Sequence, residues 1–131
     1  TGDKGSINLG DPDINLTPYG LGYKIEGISS DIVLKDGESL ELDGLSIKCI
    51  YTPGHTNCGV CYLCGNDLFC GDTLFLRSCG RWDLPTGNQH VLESSIKEKL
   101  YVLPDDTVVH CGHGSDTTIG YEKKFNFCVK A

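Results

Sequence analysis

The chain has 131 residues, enough for one domain with its own core and too few for two ordinary ones. Its 39% hydrophobic residues, 22% charged residues and 17 glycines describe a globular, turn-rich protein and exclude fibrous or largely disordered classes. A net charge of -7 excludes general affinity for nucleic acid or an anionic membrane, since both require clustered Lys and Arg.

No apolar run has the length of a transmembrane helix, and residues 1–20 lack the basic start and apolar centre of a secretory signal. A cytoplasmic location is therefore expected. Residues 1–22 carry glycines and prolines without periodicity and read as an irregular lead-in to a single domain over 1–131. The chain has no Met, which points to a fragment or processed product. Eight cysteines (49, 58, 61, 64, 70, 79, 111 and 128) would suit disulfides in a secreted protein. Most of them stand in apolar runs, however, and are expected to be reduced packing thiols.

Apolar positions alternate at Leu40 and Leu42, then at Leu45, Ile47 and Cys49, around Asp43-Gly44. An Asp-Gly pair within such alternation predicts a hairpin, because the primed turn requires positive φ and matches strand twist. Val60–Leu63 and Leu68–Cys70 about Gly65-Asn66 predict a second hairpin, and two in succession imply an antiparallel sheet. Residues 76–88 read as a polar loop. Leu92, Ile96 and Leu100 then recur every four residues, which predicts an amphipathic helix capped by Asn88 and ended before Pro104, with this stripe in the core. A strand over Thr107–Cys111 and a short helix over about Ile119–Lys124, with caps offered by residues 115–118, complete the chain. The order predicts a mixed α/β layer on one sheet.

His55 follows a Pro-Gly turn, Asp72 ends an apolar run, and His113 stands in a Gly-His-Gly turn after another such run. Imidazole and carboxylate are the ligands that zinc, iron or manganese takes in a catalytic site. Spacings of 17 and 41 residues exceed a helical turn, so these three side chains could meet only at strand ends gathered along one sheet edge. Gly54, Gly71, Gly112 and Gly114 would let the backbone turn there.

The segments TPGHT (52–56), GDTLF (71–75), GRWDLPTGN (80–88) and GHG (112–114), in this order, resemble the metallo-β-lactamase superfamily, in particular its glyoxalase II-like hydrolase branch. The resemblance covers nearly all of the chain. It implies half of an αββα sandwich: a mixed, largely antiparallel sheet with helices on one face. It also implies a dinuclear site in which His55 holds one metal, His113 the other, and Asp72, the catalytic carboxylate, bridges both. Zinc is the expected metal, with iron or manganese as alternatives. A metal-bound hydroxide would then attack a thioester or related carbonyl.

The family's H-x-H-x-D-H motif does not occur in this sequence. The resemblance therefore implies an incomplete site, weak or inactive in this chain alone, and pairing with a missing N-terminal half or self-association across an uncovered sheet face. Two alternatives stand beside the hydrolase reading. One is a persulfide dioxygenase-like iron protein, for which TPGHTN and the CGR after GDT speak; the other is a metal-free fragment or interaction module. Cys58, Cys61 and Cys64 have thiolate-cluster spacing, but positions 61 and 64 on an extended strand point to opposite faces, which argues against a cluster. Cys111 is expected to be a packed strand end, His90 and His110 surface or structural groups, Arg81 and Asp83 a loop-bracing pair, and Trp82 a cleft wall or a packing residue.

Overall fold

A computed structural model describes residues 30–131; the lead-in expected over 1–22 lies outside the described residues. Strands β1 (Ser39–Leu42) and β2 (Leu45–Tyr51) form the first hairpin, and Asp43 and Gly44 both have positive φ, as the primed turn demands. Strands β3 (Val60–Cys64) and β4 (Asp67–Gly71) form the second, with Gly65 at φ 59 opening its two-residue turn. Both begin and end within a residue or so of the sequence expectation.

Next come two very short strands, β5 (Leu74–Phe75) and β6 (Ser78–Cys79), paired with each other. They partly replace the expected 76–88 loop. Helix α1 (Gln89–Ser95) starts at Asn88, whose side chain accepts from the Val91 N–H at 3.1 Å, and continues as a π-helical turn over Ile96–Leu100. There the Tyr101 N–H reaches Ile96 O at 2.9 Å, one residue farther back than in an α-helix. Strand β7 (Val108–Cys111) follows. Residues read as caps form strand β8 (Thr117–Thr118), and Thr118 also caps helix α2 (Ile119–Phe125).

The main sheet runs β1-β2-β3-β4-β7-β8, antiparallel at every pair except β4 with β7, which are parallel. Register puts Ile50, Cys61, Leu68 and Val109 on one face, where Leu92, Ile96, Leu100 and Ile119 from the helical segments cover them. All of these are at most 8% exposed. The expected sheet with helices on one face is what the described residues form.

The opposite face is also apolar. Leu40, Leu42, Leu45, Ile47, Tyr62 and Phe69 follow one another across it in register. Leu42, Leu45 and Phe69 are 54%, 55% and 49% exposed while Cys49 on the same face is buried, so the alternation that announced the first hairpin marks the face opposite the one that Leu92, Ile96, Leu100 and Ile119 cover. Among the described residues no helix is long and apolar enough to cross a membrane.

Candidate metal centre

Three strand ends meet at one edge. The chain leaves β2 through Thr52 and Pro53 into the turn that carries His55. Strand β4 ends in an irregularity between Phe69 and Gly71, which re-aims the chain just before Asp72. His113 lies in the turn from β7 to β8. Buried threonines join the first two ends: Thr52 Oγ1 is 3.3 Å from Thr73 Oγ1 and 3.3 Å from Cys61 Sγ. Helix α1 supports the His55 turn, as Ser95 Oγ donates to Pro53 O at 2.7 Å and the Asn88 N–H to Gly54 O at 2.7 Å.

The three side chains converge. His55 Nε2 lies 3.7 Å from Asp72 Oδ2, and His113 Nε2 lies 3.4 Å from Asp72 Oδ1. Each imidazole faces its own oxygen of one carboxylate. Two donors on a tetrahedral ion, each about 2.0–2.2 Å from it, stand about 3.3–3.5 Å apart, so these separations suit ions seated between each imidazole and the carboxylate. Among the described residues no three His, Cys, Asp or Glu surround a single ion. Such a result follows from one histidine and a shared carboxylate on each side.

His55 is oriented by the backbone. Its Nδ1 is 2.7 Å from Arg81 O, and a carbonyl only accepts, so Nδ1 carries the proton. In the neutral ring Nε2 is then a bare lone pair turned toward a carboxylate oxygen. Two acceptors facing each other are unfavourable unless a cation lies between them, and a carbonyl on the far nitrogen is the usual support of a metal-bound histidine. His113 differs: its side chain is 79% exposed, against 21% for His55, and its ring has a tilted contact with Phe75 at 6.0 Å.

Close approach explains two glycines. A Cβ on Gly112 would sit 2.4 Å from Asp72 Oδ1, and one on Gly80 would sit 1.8 Å from Asp72 O and 3.3 Å from His55 Nδ1. Gly80, Thr52, Thr73 and the carbonyl of Arg81 all shape the site, and none was singled out for this from sequence. The GR pair was visible, but its contribution here is backbone.

Arg81 and Asp83 form a bidentate pair at 2.7 Å for both bonds, the expected brace, and the guanidinium holds the exposed Asp83 carboxyl down at about 2. Trp82 lines an open cleft of about 540 Å³ with Asn88, His90 and Glu93. Burial raises the pKa of Cys111, so this thiol beside the GHG turn is a neutral packing group. The core position of Cys61 pushes it to about 11, and Cys61 and Cys64 face opposite sides of β3, so no thiolate cluster forms there. Cys128, in contrast, is exposed rather than packed.

A family profile described as the Metallo-beta-lactamase superfamily matches residues 4–113. The chain belongs to this superfamily. It is 43% identical over 94 residues to the hydroxyacylglutathione hydrolase GloC of Haemophilus influenzae, covering 70% of this chain and 44% of that protein. Among solved structures, the BLEG-1 B3 metallo-beta-lactamase superposes with a TM-score of 0.90 at 34% identity, over 99% of this chain and 64% of that one. TTHA1623, solved in a di-iron-bound form, gives 0.73 at 34% identity, over 88% and 58%. Relatives include metal-dependent hydrolases, and the superfamily is metal-dependent. The chain spans about half the length of the curated relatives it matches, 46%, 44% and 56% for three of them.

Proposed function

We propose that this chain carries part of the dinuclear centre of a glyoxalase II-like thioester hydrolase, with His55 on one metal, His113 on the other and Asp72 between them. One observation carries the reading: a single carboxylate presents each of its oxygens to a different imidazole, and the bond from His55 Nδ1 to Arg81 O holds that ring with Nε2 turned toward the carboxylate. Zinc is the first choice of metal and iron or manganese the alternatives, because the same donors suit all three. The metals, when bound, supply Lewis acidity and an activated water.

The residues themselves do three things. Arg81 O keeps the proton on Nδ1 of His55, so Nε2 is free to donate its lone pair. Asp72, next to Thr73, whose hydroxyl meets that of Thr52, turns one carboxylate oxygen toward each imidazole and would be shared between the two ions. Neutral Cys111 and Cys61 offer no competing thiolate nucleophile.

Each ion would have two ligands from this chain where a catalytic zinc site has three or more, so activity is expected to need further ligands. The exposed face bearing Leu42, Leu45 and Phe69 suits a covering layer, either the N-terminal half of such a domain or a second copy. The working location is the cytoplasm and the substrate a small thioester. Hydrolysis of acyl-thioesters with added zinc, iron or manganese tests the reading, on this chain alone and combined with the N-terminal half of the Haemophilus influenzae relative. Metal-dependent turnover in the combination is expected. No turnover there would sink the proposal, and iron-dependent oxygen consumption with a persulfide would replace it with the dioxygenase reading.

A further inference from the structure

His110 was expected to be structural, and no partner was apparent at a useful spacing. The fold supplies two. Its Nδ1 is 2.8 Å from Asp116 Oδ2, its Nε2 is 2.8 Å from Asp67 Oδ1, and its ring stacks on Phe69 at 4.8 Å and 22°. Carboxylates only accept, so both bonds together require both ring N–H groups, and His110 is an imidazolium that donates twice. It has no lone pair left for a metal or for proton abstraction. This is the reverse of His55.

Its position is what gives the arrangement a purpose. Asp116 closes the turn between β7 and β8, and His113 lies within that turn. Asp67 begins β4, and Asp72 follows the other end of the same strand. Side-chain packing does not hold the turn, because His113 is 79% exposed. Its other anchors are the Gly112 N–H on Gly71 O at 2.8 Å and the Phe75 ring.

We propose that His110 is a positioning residue that, with Asp67 and Asp116, clamps the turn bearing His113 onto the strand leading to Asp72. The importance of that turn rests on the functional reading above; the clamp itself does not. A bond that merely strengthened the sheet would protect the whole of β4 and β7. The clamp protects the turn in particular.

The test uses the full chain without metal. In Asp116→Ala, and in His110→Phe, which keeps the stack on Phe69 but loses both bonds, the Gly112 amide should exchange about five- to tenfold faster, the local opening expected on losing a charge-assisted bond. The His113 ring proton shifts should move away from the values set by Phe75, while Leu68 and Val109 amides change less than about twofold. Asp116→Asn keeps an acceptor and should restore most of the protection. Unchanged Gly112 exchange and His113 shifts would overturn the clamp, as would equal acceleration at Leu68 and Val109 or a failure of Asp116→Asn to restore protection. Zinc titration of the same proteins separates the two ideas. If the unmodified chain shows no zinc response at His55 or His113, the functional reading fails while the exchange data still decide the clamp.

Discussion

Replacing Gly112 by alanine tests how tightly the GHG turn is built against Asp72. The added Cβ would lie 2.4 Å from Asp72 Oδ1, and 2.8 and 2.9 Å from the carbonyl carbon and oxygen of Gly71. Backbone strain is not the cause, because the φ of Gly112 is outside the left-handed region; the space is simply filled. To reach a tolerable contact the carboxylate must retreat by about 0.6 Å or more, and the Gly112 N–H bond to Gly71 O must lengthen. The Asp72 side chain is 34% exposed and can swing aside, so the stability cost should fall at the low end of overpacking, about 1 kcal/mol, or a loss of about 4 °C in Tm. The effect on metal should be larger, about 10- to 100-fold in zinc affinity, since the Asp72 carboxylate is displaced from both imidazoles. Thermal unfolding and zinc titration followed at the histidine rings measure the two separately. An alanine variant with unchanged Tm and unchanged zinc response would show that the Asp72 contact is not constrained as described.

Two further outcomes are expected. Glu122 is fully buried and accepts from Thr117 Oγ1 at 2.6 Å, Asn126 Nδ2 at 2.7 Å and the Arg77 N–H at 2.9 Å. Glu122→Ala strands those donors and should cost about 3 kcal/mol in urea unfolding; a loss below about 1 kcal/mol would mean that water replaces the carboxylate. For pH, the bond to Asp67 and then that to Asp116 raise His110 above its ordinary value, against the opposing effect of desolvation. A raised folded value means stability that is fully present below about pH 6.5 and lost as pH rises through the folded value. The gap in urea midpoint between the parent chain and His110→Phe should therefore shrink across that range, and a gap that widens with pH would contradict the imidazolium assignment.

What could be read from the sequence was local. Asp43-Gly44 and Gly65-Asn66 specify their turns within a few residues, and Leu92, Ile96 and Leu100 announce a helix by period alone. Strands of two residues, such as Leu74–Phe75 and Thr117–Thr118, have no period to read, so β6 was read as loop, β8 as caps, and Leu74–Phe75 as no element at all. The parallel pairing of β4 with β7 joins segments about forty residues apart and brings Asp67 and Phe69 against His110, which no spacing rule anticipates. The ligand types at 55, 72 and 113 were legible, but their convergence depends on that same pairing and on buried Thr52 and Thr73. Arg81 was read through its side chain, whereas its carbonyl is what orients His55. The hairpin alternation was also real, yet its stripe lies on the face away from the helices.

The central claim is that one carboxylate, Asp72, serves two histidine-bearing ion positions. Zinc titration of the chain, followed by the ring signals of His55 and His113, tests it most directly. Both rings should respond to zinc, and Asp72→Ala should abolish both responses together. If the two histidines respond independently of Asp72, or neither responds, the shared centre described here does not exist.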